Sequence, residues 1–77
     1  MGSEWAKEAD RRAEDITREL AAAGSAFGLA YQRREARFAL KGGGETVYFS
    51  AHDYETRKGV DWAQLRRDVL ARADVKP

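Results

Sequence analysis

Between Tyr31 and Ala36 the alternation of apolar side chains changes parity, and this constrains the fold more than any other feature of the chain. Phe27, Leu29 and Tyr31 occupy odd positions, whereas Ala36, Phe38 and Leu40 occupy even ones. Successive side chains of a strand point to opposite faces, so one unbroken strand cannot send both sets to the same core without a bulge or a reversal. Gln32-Arg33-Arg34-Glu35 stands at the change. The sequence therefore predicts two antiparallel strands, 27–32 and 35–41, joined by a tight polar turn. Gly42-Gly43-Gly44 marks the next reversal, where glycine supplies the positive φ a hairpin needs. A third strand is expected over 46–51, with Val47, Phe49 and Ala51 on one face and Tyr48 and Ser50 on the other.

Helical periodicity flanks this strand region. Trp5, Ala9, Ala13, Ile16, Leu20 and Ala23 recur every three or four residues and draw one apolar stripe over 4–23. Ser3 fits as its N-cap with Glu4 in the first turn, and Gly24 fits as the left-handed residue beyond its end. Glu8 with Arg12 and Glu14 with Arg18 have the acid-first i,i+4 spacing that supports a helix. Residues 52–60 read as a polar connection. A second helix over 62–73 is announced by Asp61 as N-cap, Gln64 three residues on, and Val60 and Leu65 at the hydrophobic-staple positions. Its stripe is Trp62, Leu65, Val69 and Ala73, widened by Leu70, and residues 1–3 and 74–77 are expected to fray.

The order is α-β-β-β-α, a single α+β domain over 1–77 in which two amphipathic helices cover one face of a three-stranded antiparallel sheet. The expected core is Trp5, Ile16, Leu20, Phe27, Leu29, Tyr31, Phe38, Leu40, Val47, Phe49, Trp62, Leu65 and Val69. Arg37, Ala39, Lys41, Tyr48 and Ser50 then fall on the opposite face, open to solvent or a partner. At 43% hydrophobic residues the chain has the material for a core. Cysteine is absent, which excludes disulfides, cysteine–zinc clusters and thiol nucleophiles. No apolar run reaches the ~18 residues of a membrane span, and no basic-then-apolar leader opens the sequence, so a cytoplasmic protein without membrane contact is expected. With no covalent or metal staple in so short a chain, a homodimer stays open.

Glu19-Leu20-Ala21-Ala22-Ala23-Gly24, a strand, a basic turn, a strand around Phe38, a glycine turn, Val47-Tyr48-Phe49 and then Leu65-Arg66-Arg67-Asp68-Val69-Leu70 together resemble the HicA/YcfA-like family over residues 13–73. The resemblance implies a double-stranded-RNA-binding-domain-like fold and, in that family, cleavage of messenger RNA. The family carries a Gly-Ser-His-His type stretch entering its second strand, where this chain reads Arg33-Arg34-Glu35-Ala36-Arg37. The fold is carried over and the family's catalysis is not. In size and α+β make-up the chain also resembles small phage-encoded inhibitors, including anti-CRISPR proteins.

Three groups of residues invite a chemical reading. His52, the only histidine, has Asp53, Tyr54 and Glu55 beside it and the makings of a general base. Asp15 and Glu19 share a helix face and could hold a cation, although Lys7, Arg11, Arg12 and Arg18 are interleaved with the acids of that helix. The third group is basic: Arg33, Arg34, Arg37 and Lys41 on the turn and second strand, with Tyr48 on the same exposed side, Tyr54 as a further anchor, and Arg57-Lys58 and Arg66-Arg67 as extensions. Arginine forks bind carboxylate or phosphate, and tyrosine offers a stacking surface. The triple glycine lacks the Lys-Ser/Thr of a phosphate loop, and no cofactor is expected.

Charge separates the halves mildly. Residues 1–24 carry four basic and six acidic side chains, hence −2, and residues 25–77 carry ten and seven, hence +3. An isoelectric point near 8.1 lies below the ~9 of a strongly basic nucleic-acid-binding domain. The expectation is a noncatalytic binding module, a small inhibitor or adaptor that docks on a larger protein or nucleoprotein assembly. A HicA-like RNA- or DNA-binding domain is the alternative, and a ribonuclease toxin dependent on His52 the third reading.

Overall fold

The computed structural model of the protein describes residues 3–75, with side chains from Ala6 onward. The Ser3 cap and the core position of Trp5 therefore lie outside the described side chains, as do residues 1, 2, 76 and 77 altogether.

Of the expected stripe, helix α1 (Ser3–Ala22) buries Ala9, Ala13, Ile16 and Leu20 against the core, whereas Ala23, beyond the last helical residue, is exposed. Alanines at two of the buried positions let the helix backbone approach its neighbours closely. The helix ends on Gly24, whose φ is +80°. There the Ser25 N–H donates to Leu20 O (2.9 Å) and the Gly24 N–H to Ala21 O (3.0 Å), satisfying two terminal carbonyls. Of the two expected ion pairs along α1, Glu8–Arg12 forms at 3.2 Å, whereas Arg18 turns to Asp15 instead of Glu14.

Three strands follow, β1 (Gly28–Gln32), β2 (Arg37–Gly42) and β3 (Glu45–Ser50), antiparallel in the order β1-β2-β3. The reversal expected at residues 32–35 occupies residues 33–36. Leu29 pairs with Leu40 and Tyr31 with Phe38, so odd residues of β1 and even residues of β2 share the core face. Ala36, expected in the second strand, is part of the turn with φ +50°. A left-handed alanine costs roughly 1–2 kcal/mol. Its carbonyl accepts the Ala51 N–H (2.9 Å), which helps fix the turn from outside. Gly43 and Gly44, with φ +57° and +81°, form the two-residue β2–β3 turn that matches strand twist. Gly42 serves a different purpose: a Cβ there would stand 2.8 Å from the Phe27 Cα and ring, so only glycine lets the two chains pass.

Residues 51–60 are more ordered than the polar connection the sequence suggests. Ala51–Tyr54 forms a 3-10 turn, and β4 (Glu55–Thr56) pairs with β5 (Gly59–Val60) as a small separate hairpin. Two-residue strands carry no readable periodicity, which is why the sequence misses them. Helix α2 (Trp62–Arg72) starts as expected, the Gln64 N–H donating to Asp61 Oδ1 at 3.1 Å. Its end corrects the expectation of fraying from residue 74. Asp74 takes φ +60°, its N–H donates to Ala71 O (3.2 Å), and the Val75 N–H donates to Leu70 O (2.9 Å) while Val75 packs on the core.

The architecture is α+β, α-β-β-β-α, with the β4–β5 hairpin inserted before α2. Leu20, Phe38, Leu40, Leu65, Val69 and Leu70 are its largest fully buried side chains, and Phe27, Tyr31, Val47, Phe49 and Trp62 are half-buried around them. Ala51, expected on the Val47–Phe49 face at the end of the third strand, joins this core from the 3-10 turn instead, and Tyr54 joins it although its stretch of sequence gives no sign of it. Both helices lie on the Leu40–Phe38 side of the sheet, tied to each other by Arg66, which forks onto Glu19 at 3.0 and 2.5 Å. No described helix lies across the other side of the sheet, although Thr17 of α1 reaches its Gly28 corner.

Candidate functional site

Register decides what the uncovered face presents. Three cross-strand rows reach it: Gln32–Arg37–Ser50 at one end, Ala30–Ala39–Tyr48 in the middle, and Gly28–Lys41–Thr46 at the other end. The floor is low, made of glycine, alanine and serine or threonine. Tyr48 rises from it half-exposed at 50%. None of these nine positions is a carboxylate, in a chain with 13 acidic residues.

Arg37 is held on this face by two side-chain contacts. Its Nε donates to Gln32 Oε1 at 2.6 Å, and its guanidinium carbon sits 3.8 Å from the centre of the Tyr48 ring. Gln32 is its direct cross-strand neighbour and Tyr48 its diagonal one, so the hairpin register creates both contacts. Stacking on the ring attracts the cation by about 0.5–1 kcal/mol at an exposed site. The guanidinium makes no ion pair among the described residues. Lys41 lies exposed four positions further along β2, roughly 13 Å away at the rise of an extended strand.

The remaining candidates scatter. Ala39 is on this face as expected but is only 1% exposed, because Arg37, Lys41 and Tyr48 all stand taller around its methyl group. Arg33 leaves the turn toward α1, where its guanidinium meets Asp10 at 3.2 Å. Arg34 is exposed in the turn, and Arg57 and Lys58 are exposed at the tip of the β4–β5 hairpin, outside the three-stranded sheet. Arg66 is committed to Glu19, a hydrogen bond that raises its pKa, and Arg67 donates to Gln64 Oε1 at 2.9 Å. Neither extends the basic face.

Tyr54 is a correction. Expected as a surface anchor, it is 8% exposed and its hydroxyl donates to Asp68 Oδ2 at 2.7 Å. Burial, then this hydrogen bond, push its pKa well above the usual tyrosine value. Asp68 accepts from Gln64 Nε2 (2.7 Å) on its other oxygen, so the residue pins the 51–54 turn to α2.

His52 points outward with its Nδ1 2.8 Å from Glu55 Oε1. Tyr54, its near neighbour in sequence, faces the opposite way, so the 52–55 stretch does not converge on one reacting atom. Asp15 and Glu19 are each taken by an arginine, Arg18 and Arg66. Among the described residues no group of three His, Asp or Glu side chains is placed to hold a metal ion. No described helix is long and apolar enough to cross a membrane.

Two contributors escape the sequence. Gln32 reads as a turn residue until the turn is known to occupy 33–36, which puts it opposite Arg37. Thr17 sits on the polar flank of α1, yet its Oγ1 accepts the Leu29 N–H at 2.8 Å and lies 2.9 Å from Leu29 O and 2.8 Å from Ala13 O. It thereby occupies the outward polar groups of Leu29 on the edge strand β1, as a neighbouring strand would.

Set against known proteins, the chain matches no family model, no curated protein and no solved structure. The surface chemistry of the sheet is therefore what a functional reading has to rest on.

Proposed function

We propose that this protein is a noncatalytic binding module that docks the uncovered face of its sheet on a larger protein or nucleoprotein assembly, acting as a small inhibitor or adaptor. Phage-type anti-defence proteins, anti-CRISPR proteins among them, are the kind of protein it would belong with. The observation that carries the reading is the Arg37–Tyr48 stack, an arginine and an aromatic ring ordered together on a helix-free face. Arginine and tyrosine are the side chains that most often dominate the energy of protein contacts, and they do so where neighbours exclude water. The exposed Ala30 beside them keeps the floor low where a partner would approach.

The test is affinity capture with tagged wild type, Tyr48→Ala and Arg37→Glu, with and without nuclease. A partner retained by wild type in both conditions and lost by both variants supports the reading. A partner set indifferent to both substitutions overturns it.

The same stack favours a second reading, direct RNA or DNA binding by a HicA-like fold, because an exposed ring beside two cations is also how nucleic-acid bases and phosphates are held. Salt separates the two. Phosphate-driven binding weakens steeply and log-linearly with salt, and the slope counts the phosphates neutralised.

A further inference from the structure

Resting on that docking reading, we infer that the occupant of the sheet face is an extended acidic segment of a protein, its carboxylate gripped end-on by the Arg37 guanidinium. The Nε of Arg37 is already engaged by Gln32 and its flat side by Tyr48, which leaves the two Nη atoms at the far end of a fork whose plane is fixed. Two parallel N–H donors at that spacing match a carboxylate, and holding them in place beforehand removes much of the ordering cost of binding. Among the described residues, none of the nine positions on this face is an acid that would compete.

Lys41 supplies the second contact. It stands four strand residues from Arg37, so two acids four residues apart in an extended peptide, roughly 13 Å, would reach both cations. Between them the peptide would run over the Arg37–Tyr48 stack, which already covers Ala39, and beside the exposed Ala30.

A nucleic-acid strand has the same anionic chemistry but fits less well. Only two cations stand on the face, and neutralising two phosphates of a single strand yields a salt slope of only about 1.4, a weak grip. Over the whole chain 14 basic residues stand against 13 acidic ones, which leaves no continuing positive field for a long polyanion. A short acidic segment needs nothing beyond the face.

The experiment is an NMR titration of the isotope-labelled full chain with three probes: a blocked peptide bearing two Glu four residues apart, the same peptide with Gln in their place, and an oligo-dT of similar length. The Glu peptide is expected to shift the amides of Ala30, Arg37, Ala39, Lys41 and Tyr48, and the Gln peptide to leave them in place. Arg37→Gln should weaken the Glu peptide about tenfold, and Arg37→Lys, which keeps the charge without the fork, nearly as much. Shifts elsewhere, no shift at millimolar Glu peptide, or equal response to the Gln peptide would overturn the inference. Tighter binding of oligo-dT on this face would also overturn the acidic segment while leaving the face a contact surface. The docking reading itself fails separately, through the indifference of captured partners to Tyr48→Ala and Arg37→Glu.

Discussion

On one side of the three strands, Leu29, Leu40 and Val47 make one row and Tyr31, Phe38 and Phe49 the next. On the other, the intervening residues are Ala30, Ala39 and Tyr48, with Arg37 and Lys41 to either side. The backbone is the same, and the two faces differ only in which residue of each pair is turned which way. The first face is filled with branched and aromatic side chains under two helices, and its free energy is that of apolar burial. The second has small side chains, one exposed ring and a guanidinium that makes no ion pair among the described residues, so little of the fold's stability resides there. The contrast separates what holds the molecule together from what it offers to others.

The contrast is broken most violently from the inside. Phe38 is fully buried between Tyr31 and Trp62, its ring 4.9 Å from one and 6.1 Å edge-on from the other. Phe38→Ala should cost about 3–5 kcal/mol, read from the urea midpoint. For a domain of this size that is a large fraction of the total, and partial unfolding in water is the expected result. Thr17→Val comes next. It keeps the side-chain shape but strips the Leu29 N–H of its partner, at a cost of about 1–3 kcal/mol, and should speed exchange of the Leu29 amide with solvent.

Tyr54→Phe is smaller, about 1 kcal/mol at neutral pH for the lost hydrogen bond. Its pH dependence carries a sign. The folded-state pKa is raised above the unfolded value of 10.0, so the neutral hydroxyl's contribution is complete below pH 10 and is lost as pH rises beyond it. Wild type should therefore lose stability above pH 10, and Tyr54→Phe should lose less, in urea titrations on both sides of that value.

The smallest effect on stability sharpens the comparison most. Arg37→Gln and Tyr48→Ala are expected to move the urea midpoint by no more than about 1 kcal/mol, the worth of an exposed cation–π contact, while abolishing capture of the partner. A large loss of stability from either would mean that the second face also holds the fold.

The two faces were not equally legible in the sequence. The core face follows from periodicity: a parity switch, a glycine turn and a helical stripe each record a physical demand, and each recurs within a residue of its expected place. Placing Arg37 and Tyr48 on one side was legible for the same reason. What the sequence hides is whatever depends on an isolated side chain or a turn direction. Tyr54 sits in a polar stretch with no pattern to mark it as buried, and its partner Asp68 is 14 residues away. Ala36 and Asp74 adopt left-handed backbone where no glycine announces it. Arg33 swings to Asp10, and Arg57 and Lys58 are carried off on their own hairpin, because the path of a turn is set by tertiary contacts. Gln32 and Thr17 become visible only once the register is known.

Everything proposed for this face depends on Arg37 lying over the Tyr48 ring. Proton NMR of the free protein tests it without any partner. The account predicts cross-peaks between the Arg37 side chain and the Tyr48 ring, and Arg37 side-chain resonances displaced upfield by the ring current that return to ordinary values in Tyr48→Leu. Arg37 resonances at ordinary values in the wild type, with no contact to the ring, would contradict it.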